Sequence, residues 1–400
     1  MKHIRLMILI VAVLGIIPSV LHAKGAGIEW DILNKEVLEL YRSGKYDRAV
    51  IVAQKALEVA EKNVGPDHPD VAMSLNNLAG LYDAKGDYAK AEPLYKRSLA
   101  IREKALGPDH PDVAQSLNNL AGLYNTKGEY GKAEPLYKRS LAIREKALGS
   151  DHPDVGGSLN NLAEFYRYQG EYAKAEPLYK RSLAIWEKAF GPDHPHVATS
   201  LNNLAMLYVS QGEYAKAEPL YKRSLAIREK ALGSDHPDVA GSLNNLAVFY
   251  ISQGEYAKAE PLYKRSLMIW EKALGPDHLH VARNLNNLAM FYISQGEYAK
   301  AEPLYKRSLA IREKALGPDH PDVATGLNNL AVLFSMQGDY LKAEPLYKRS
   351  LAICEKALGP NHPDVAQSLE SLAALYRATT RASEADALEQ RAAKIRGNKK

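Results

Sequence analysis

The chain has 400 residues, 46% of them apolar, with 52 Lys and Arg against 47 Asp and Glu for a formal net charge of +5. Apolar content at that level excludes an intrinsically disordered polyelectrolyte, and a single cysteine, Cys354, excludes a framework of internal disulfides. No linker or low-complexity stretch interrupts the chain, as expected of one elongated soluble domain.

In chain order, residues 1–23 read as a secretory signal peptide. Lys2 and Arg5 form the basic start, Leu6 to Ile17 is an apolar run, Pro18 breaks it, and Leu21-His22-Ala23 offers a cleavage site. The alternative is a retained N-terminal membrane anchor, for which the run is short of the ~20 residues of a spanning helix. The expected location is therefore the periplasm or the exterior, with no stable membrane insertion after cleavage.

From there a single pattern governs the chain. Gly44, Gly86, Gly128, Gly170, Gly212, Gly254, Gly296 and Gly338 fall on one register of 42 residues, and Thr380 holds the next slot, which makes nine units. A fixed period in this range means a stacked solenoid whose units cannot bury their apolar faces alone. Residues 24–69 form a degenerate N-terminal capping repeat, 70–363 seven near-identical repeats, and 364–400 a C-terminal capping repeat with a basic tail.

Each unit reads as two helices. In the prototype the first runs from about Asp70 to Ala84, with Val71, Leu75, Leu78, Ala79 and Tyr82 on one face. Met73, Asn76, Gly80, Asp83 and Ala84 form an opposite, free face. Pro69 suits the first helical position. The second helix begins near Asp87 and buries Tyr88, Ala91, Leu94, Tyr95, Ser98, Leu99, Ala105 and Leu106, with Pro93 read as a bend on the polar side and Gly107 as the stop.

Leu-x-x-Leu-Ala-x-x-Tyr followed by Gly-x-Tyr-x-x-Ala resembles the tetratricopeptide repeat. The 42-residue spacing, with L-N-N-L-A, A-E-P-L-Y-K-R-S-L, I-R-E-K-A-L-G and D-H-P-D-V-A, is similar to the repeat type of kinesin light chain and nephrocystin-like proteins over roughly residues 28–396. Glu103 stands where the common shorter repeat has Pro, so the second helix continues. The resemblance implies an all-α, right-handed superhelical solenoid of helix-turn-helix repeats whose first helices line a concave groove.

Chemistry finds little foothold in this pattern. The eight loop histidines beginning with His68, His110 and His152 lie one repeat apart, too far to converge on a metal, and only His194 with His196 and His278 with His280 come in closer pairs. No phosphate loop or nucleophile motif occurs, so neither catalysis, a metal nor a cofactor is expected. Cys354 reads as a passive thiol in the slot that Arg102, Trp186 or Trp270 fills elsewhere. Setting aside Lys2, Arg5 and the seven bases and three acids of residues 377–400 leaves 43 bases against 44 acids, so the array is neutral. Pairs such as Lys96-Arg97 beside Glu92 and Glu103 then read as a solvated, ion-paired face, not a nucleic-acid surface.

Positions that vary while the scaffold stays fixed carry the functional signal. Gly80, Gly122, Glu164, Met206, Val248 and Met290 make one row of the free face, and Asp83, Asn125, Arg167, Val209, Ile251 and Ile293 the next, so its middle turns apolar. Beside them runs an Asn ladder, Asn76, Asn118, Asn160, Asn202, Asn244, Asn286 and Asn328, flanked by a second from Asn77 to Asn329. An extended peptide or protein segment is expected in the groove, its backbone held by Asn160, Asn202, Asn244, Asn286 and Asn328. Its side chains would lie over Met206, Val209, Val248, Ile251, Met290 and Ile293. The Asn could equally fix helix spacing, and a self-assembling, envelope-organising protein would cover the apolar row with another copy.

Overall fold

The computed structural model describes residues 25–397, so the proposed signal peptide at 1–23 lies outside the described residues. Eighteen helices follow one another among them. Repeats 1 to 3 comprise α1 (Ile28–Arg42) and α2 (Tyr46–Val64), α3 (Pro69–Ala84) and α4 (Tyr88–Leu106), and α5 (Pro111–Thr126) and α6 (Tyr130–Leu148). Repeats 4 to 6 comprise α7 (Pro153–Tyr168) and α8 (Tyr172–Phe190), α9 (Pro195–Gln211) and α10 (Tyr214–Leu232), and α11 (Pro237–Ser252) and α12 (Tyr256–Leu274). Repeats 7 to 9 comprise α13 (Leu279–Ser294) and α14 (Tyr298–Leu316), α15 (Pro321–Met336) and α16 (Tyr340–Leu358), and α17 (Pro363–Ala378) and α18 (Ala382–Gly397).

The hairpin inside each repeat closes on small residues. Ala79 of α3 and Ala91 of α4 are fully buried and let the two helices approach beside Tyr88 and Tyr95, while Val71, Leu75 and Leu78 pack with the apolar side chains of repeat 1. At about 1.5–3 kcal/mol for each fully buried aliphatic side chain, this packing outweighs any single polar contact in the repeat. One buried hydrogen bond recurs within it: Ser98 Oγ donates to the Ala72 carbonyl at 2.7 Å, as Ser140 does to Ala114 and Ser224 to Ala198. Gly86, at φ 71°, makes the turn that an L side chain would strain. Pro93 is exposed within a continuous α4, so the helix runs through it.

The free face of the first helices is narrower than the wheel suggests. Asn76 and Gly80 are buried, and so are Asn202 and Met206, because consecutive first helices lie close together and cover these positions. The slot of the second helix that varies among Arg, Trp and Cys is also an inter-repeat contact. Arg102 sends Nη1 to the Asp112 carbonyl at 3.0 Å and to Ser116 Oγ at 2.9 Å. Trp186 donates Nε1–H to the Pro153 carbonyl of its own repeat at 2.9 Å, and its ring lies 5.3 Å from that of His196 in the next. A Cβ on Gly156 would stand 2.7 Å from that indole nitrogen, so this placement of Trp186 requires Gly, whereas Trp270, stacked on His280 at 4.3 Å, stands with Ala240. Cys354 is buried, and burial pushes its thiol up to about 11, so it is inert.

The loop histidine has a structural task that the sequence reading did not assign. His68 is the N-cap of α3, its Nδ1 accepting the Asp70 amide at 3.2 Å, and the same bond recurs at His110, His152, His194, His236, His278, His320 and His362. A neutral ring that accepts at Nδ1 carries its proton on Nε2, which points away from its own helix. In repeats 7, 8 and 9 that proton meets the chain again. Nε2 of His278 lies 3.2 Å from the Arg42 carbonyl, that of His320 3.2 Å from Ala84, and that of His362 3.1 Å from Thr126. Each loop thus sits on the turn of the repeat six places earlier, and the superhelix has returned on itself.

Acid should loosen these turn-on-turn contacts. Burial lowers the His278 and His320 imidazoles below the ordinary histidine value, outweighing the backbone acceptors that favour the charged ring. A depressed histidine stabilises the fold above its unfolded pKa of about 6.5, and that contribution is lost as pH falls through the lower folded value. Small-angle scattering should show the maximum dimension growing on acidification below about pH 6, with helical circular dichroism retained. Dimensions that stay constant until the helices melt would contradict the latch role of the histidines.

Candidate functional site

The groove side is built from consecutive first helices, and its polar register is set by a bond between repeats. Asn119 Nδ2 donates to Asn76 Oδ1 at 2.8 Å, Asn161 to Asn118 at 3.0 Å and Asn203 to Asn160 at 3.0 Å. The ladder continues as Asn245 to Asn202 at 2.9 Å, Asn287 to Asn244 at 3.0 Å and Asn329 to Asn286 at 2.8 Å. The two ladders read from the sequence are therefore one. Each amide of the flanking row is spent on the carbonyl oxygen of the first row in the preceding repeat. In Asn202 and Asn286 the Nδ2 group donates to the neighbouring Asn203 and Asn287 Oδ1 at 3.3 and 3.5 Å and leans toward the Met206 and Met290 sulfurs at 3.4 and 3.5 Å. Asn328 differs: Ser371 replaces the next donor, and Asn328 Oδ1 is buried without a hydrogen-bond partner.

The apolar candidates divide in the same way. Met206 is 5% exposed and belongs to the core, whereas Val209, Val248, Ile251, Met290 and Ile293 are half-buried, packed on the core with one side outward. The structure brings the latter five onto successive first helices α9, α11 and α13. Toward the N-terminus the same slots hold Gly80, Gly122 and Asn125 beside the charged Asp83, Glu164 and Arg167. Arg167 pairs with Glu164 at 2.5 Å, and Tyr179 donates its hydroxyl to the same carboxylate. Burial pulls the Arg167 guanidinium down, but Glu164 prevails and holds it above its usual value. In repeat 2, burial pushes the Asp83 carboxyl up to about 7.

The convex side is saturated with ion pairs. Lys96 meets Glu92 at 2.7 Å, Arg139 meets Glu103 at 2.7 Å and Lys104 meets Asp67 at 2.5 Å, a set that recurs along the array. Exposed pairs of this kind are worth about 0–1 kcal/mol each, so they neutralise the surface more than they hold it together. Among the described residues no three His, Cys, Asp or Glu side chains cluster as metal ligands, and no helix is long and apolar enough to cross a membrane. The closer histidine pairs are ring stacks: His194 lies 4.5 Å from Phe190, and His280 lies 4.3 Å from Trp270.

Asn245→Ala removes a donor and leaves the buried Asn202 Oδ1 unpaired, at an expected cost of about 1–3 kcal/mol. Asn244→Ala strips the acceptor from Asn287 and should cost a similar amount, so that substitution tests scaffold and groove together. Denaturant unfolding that left the stability of both variants unchanged would remove the ladder from the forces that align the repeats.

A tetratricopeptide repeat model matches residues 39–104, 84–146, 154–230, 238–313, 281–356 and 322–398. Comparison with curated proteins returns no match. Among solved structures, the nearly identical TPR-like repeats of a putative kinesin light chain from Podosopora anserina are similar at 29% identity. That likeness covers 51% of this chain and 97% of that one, with a TM-score of 0.43. A Rap protein complexed with Competence and Sporulation Factor is similar at 16% identity over 92% of this chain and 98% of that one, with a TM-score of 0.58. Aspartyl phosphate phosphatase F from Bacillus subtilis is similar at 14% identity over 94% and 95%, with a TM-score of 0.52. The last two likenesses speak to the fold alone. With matched segments spanning most of its length and hairpins stacked in one superhelix, the chain belongs to the tetratricopeptide repeat family.

Proposed function

We propose that this chain is an exported, non-enzymatic scaffold that binds an extended protein or peptide segment along the groove side of repeats 5 to 7. One observation carries the reading. Val209, Val248, Ile251, Met290 and Ile293 present half-buried apolar surface on three successive first helices, flanked by the Asn ladder, in which Asn202 and Asn286 turn Nδ2 to Asn203, Met206, Asn287 and Met290 of their own helices. A contiguous apolar strip flanked by a periodic row of Asn side chains suits a segment that alternates side chains with exposed backbone. The Rap protein of similar fold that is complexed with Competence and Sporulation Factor supports the idea that such a solenoid can hold a partner. Export rests on the basic start, apolar run and Ala23 of residues 1–23, and intact mass after secretion should show the loss of that segment.

Random peptides displayed on phage and selected on the immobilised chain supply the probe. Val248→Glu with Ile251→Glu should weaken a selected peptide by about 2 kcal/mol, roughly thirtyfold, with circular dichroism unchanged. Lys264→Glu with Arg265→Glu breaks surface contacts with Glu260, Glu229 and the Ser234 carbonyl and should leave affinity nearly intact. Loss of binding in the outer-face variant but not in the groove variant would move the site to the convex surface.

A further inference from the structure

We infer that the two open edges of this superhelix are complementary to each other, and that a second copy of the chain docks head to tail by extending the turn-on-turn contact already made inside one copy. The intramolecular contact is the template. In repeats 7 to 9, His278, His320 and His362 place Nε2 on the last-turn carbonyls of repeats 1 to 3. A Cβ at Gly86 would fall 2.8 Å from Pro321 Cδ and 3.2 Å from His320 Cδ2, so the surfaces touch closely.

The same parts recur where the described residues offer nothing to meet them. His68, His110, His152, His194 and His236 have the same N-cap bond, and hence the same outward Nε2–H, but among the described residues no turn carbonyl meets it. Their exposure shows it: the side chains of His110, His152 and His236 are 41%, 40% and 39% exposed, against 7% for the docked His362. On the other edge, the turns at Gly212, Gly254, Gly296 and Gly338 repeat the left-handed glycine of the docked turns, and a Cβ there would meet nothing within 4 Å. One edge thus carries a ladder of donors and the other a ladder of last-turn carbonyls, both on the 42-residue pitch.

In a continued superhelix the last repeat of one copy stands before the first repeat of the next. The loop histidine of repeat 3 in the second copy then meets the turn of repeat 6 in the first, pairing His110 with the Gly254 turn and His152 with the Gly296 turn. Such a contact joins unlike surfaces and does not close, so it propagates into a filament.

Sedimentation velocity of the purified chain over about a hundredfold range of concentration should show mass growing through successive multiples of the protomer. His110→Asn with His152→Asn keeps an N-cap acceptor but lacks the reach of the imidazole, whereas Gly254→Asn with Gly296→Asn adds a side chain at turns whose ninth counterpart, Thr380, already bears one at φ 60°. Each variant alone should associate at least about tenfold more weakly with unchanged circular dichroism. An equimolar mixture of the two should form a dimer and stop, because it leaves one intact junction. A wild-type chain that stays monomeric throughout would overturn the inference, as would association that survives both edge variants. Loss of association in Val248→Glu with Ile251→Glu alone would instead assign self-contact to the groove.

Discussion

Every feature of this protein depends on one constraint: a hairpin of a 16-residue and a 19-residue helix cannot enclose its own apolar surface and must lend it to the next hairpin. Ala79 and Ala91 set the distance within a hairpin, and the Asn119 to Asn76 bond with Arg102 on Ser116 sets the step between hairpins. A step repeated without change generates a helix of fixed pitch. Here the pitch brings the seventh loop onto the first turn, so a local packing rule produces a long-range contact 236 residues apart in sequence. Side chains are then judged by the next repeat as well as by their own, as Arg102 is by Ser116.

That double coverage limits where function can reside. Positions that are free on a single helix become buried when the next helix arrives, which removes Met206 and most Asn carbonyl oxygens from any surface. What remains open is what neither neighbour reaches: the outward sides of Val248, Ile251, Met290 and Ile293, and the two edges of the superhelix. The convex face is open as well, but its cations are matched by carboxylates from the same or the preceding repeat.

The histidine at each loop joins these levels. Its Nδ1 satisfies an orphan donor at the start of a helix, the task Ser or Asp commonly performs, and in doing so fixes the tautomer that directs Nε2–H outward. Serine would cap the helix but could not reach the turn of a distant repeat. The ring thus serves local and superhelical order through opposite nitrogens, and burial keeps it neutral where the second contact is made.

The 42-residue period, the Pro69 and Gly86 signals and the 3.6-residue apolar spacing are local properties, and they determined the number, order and extent of the helices and the ion-paired outer face. Nothing local states how far one hairpin turns relative to the next. The union of the two Asn rows into one ladder, the burial of Met206 and Asn202, the inter-repeat reach of Arg102 and the meeting of His278 with Arg42 all follow from that angle. A loop histidine repeated once per unit carries no mark in its own sequence of whether a partner waits six units away. The tertiary structure alone decided that, because superhelical pitch is the accumulated result of many small packing contacts and no single residue encodes it.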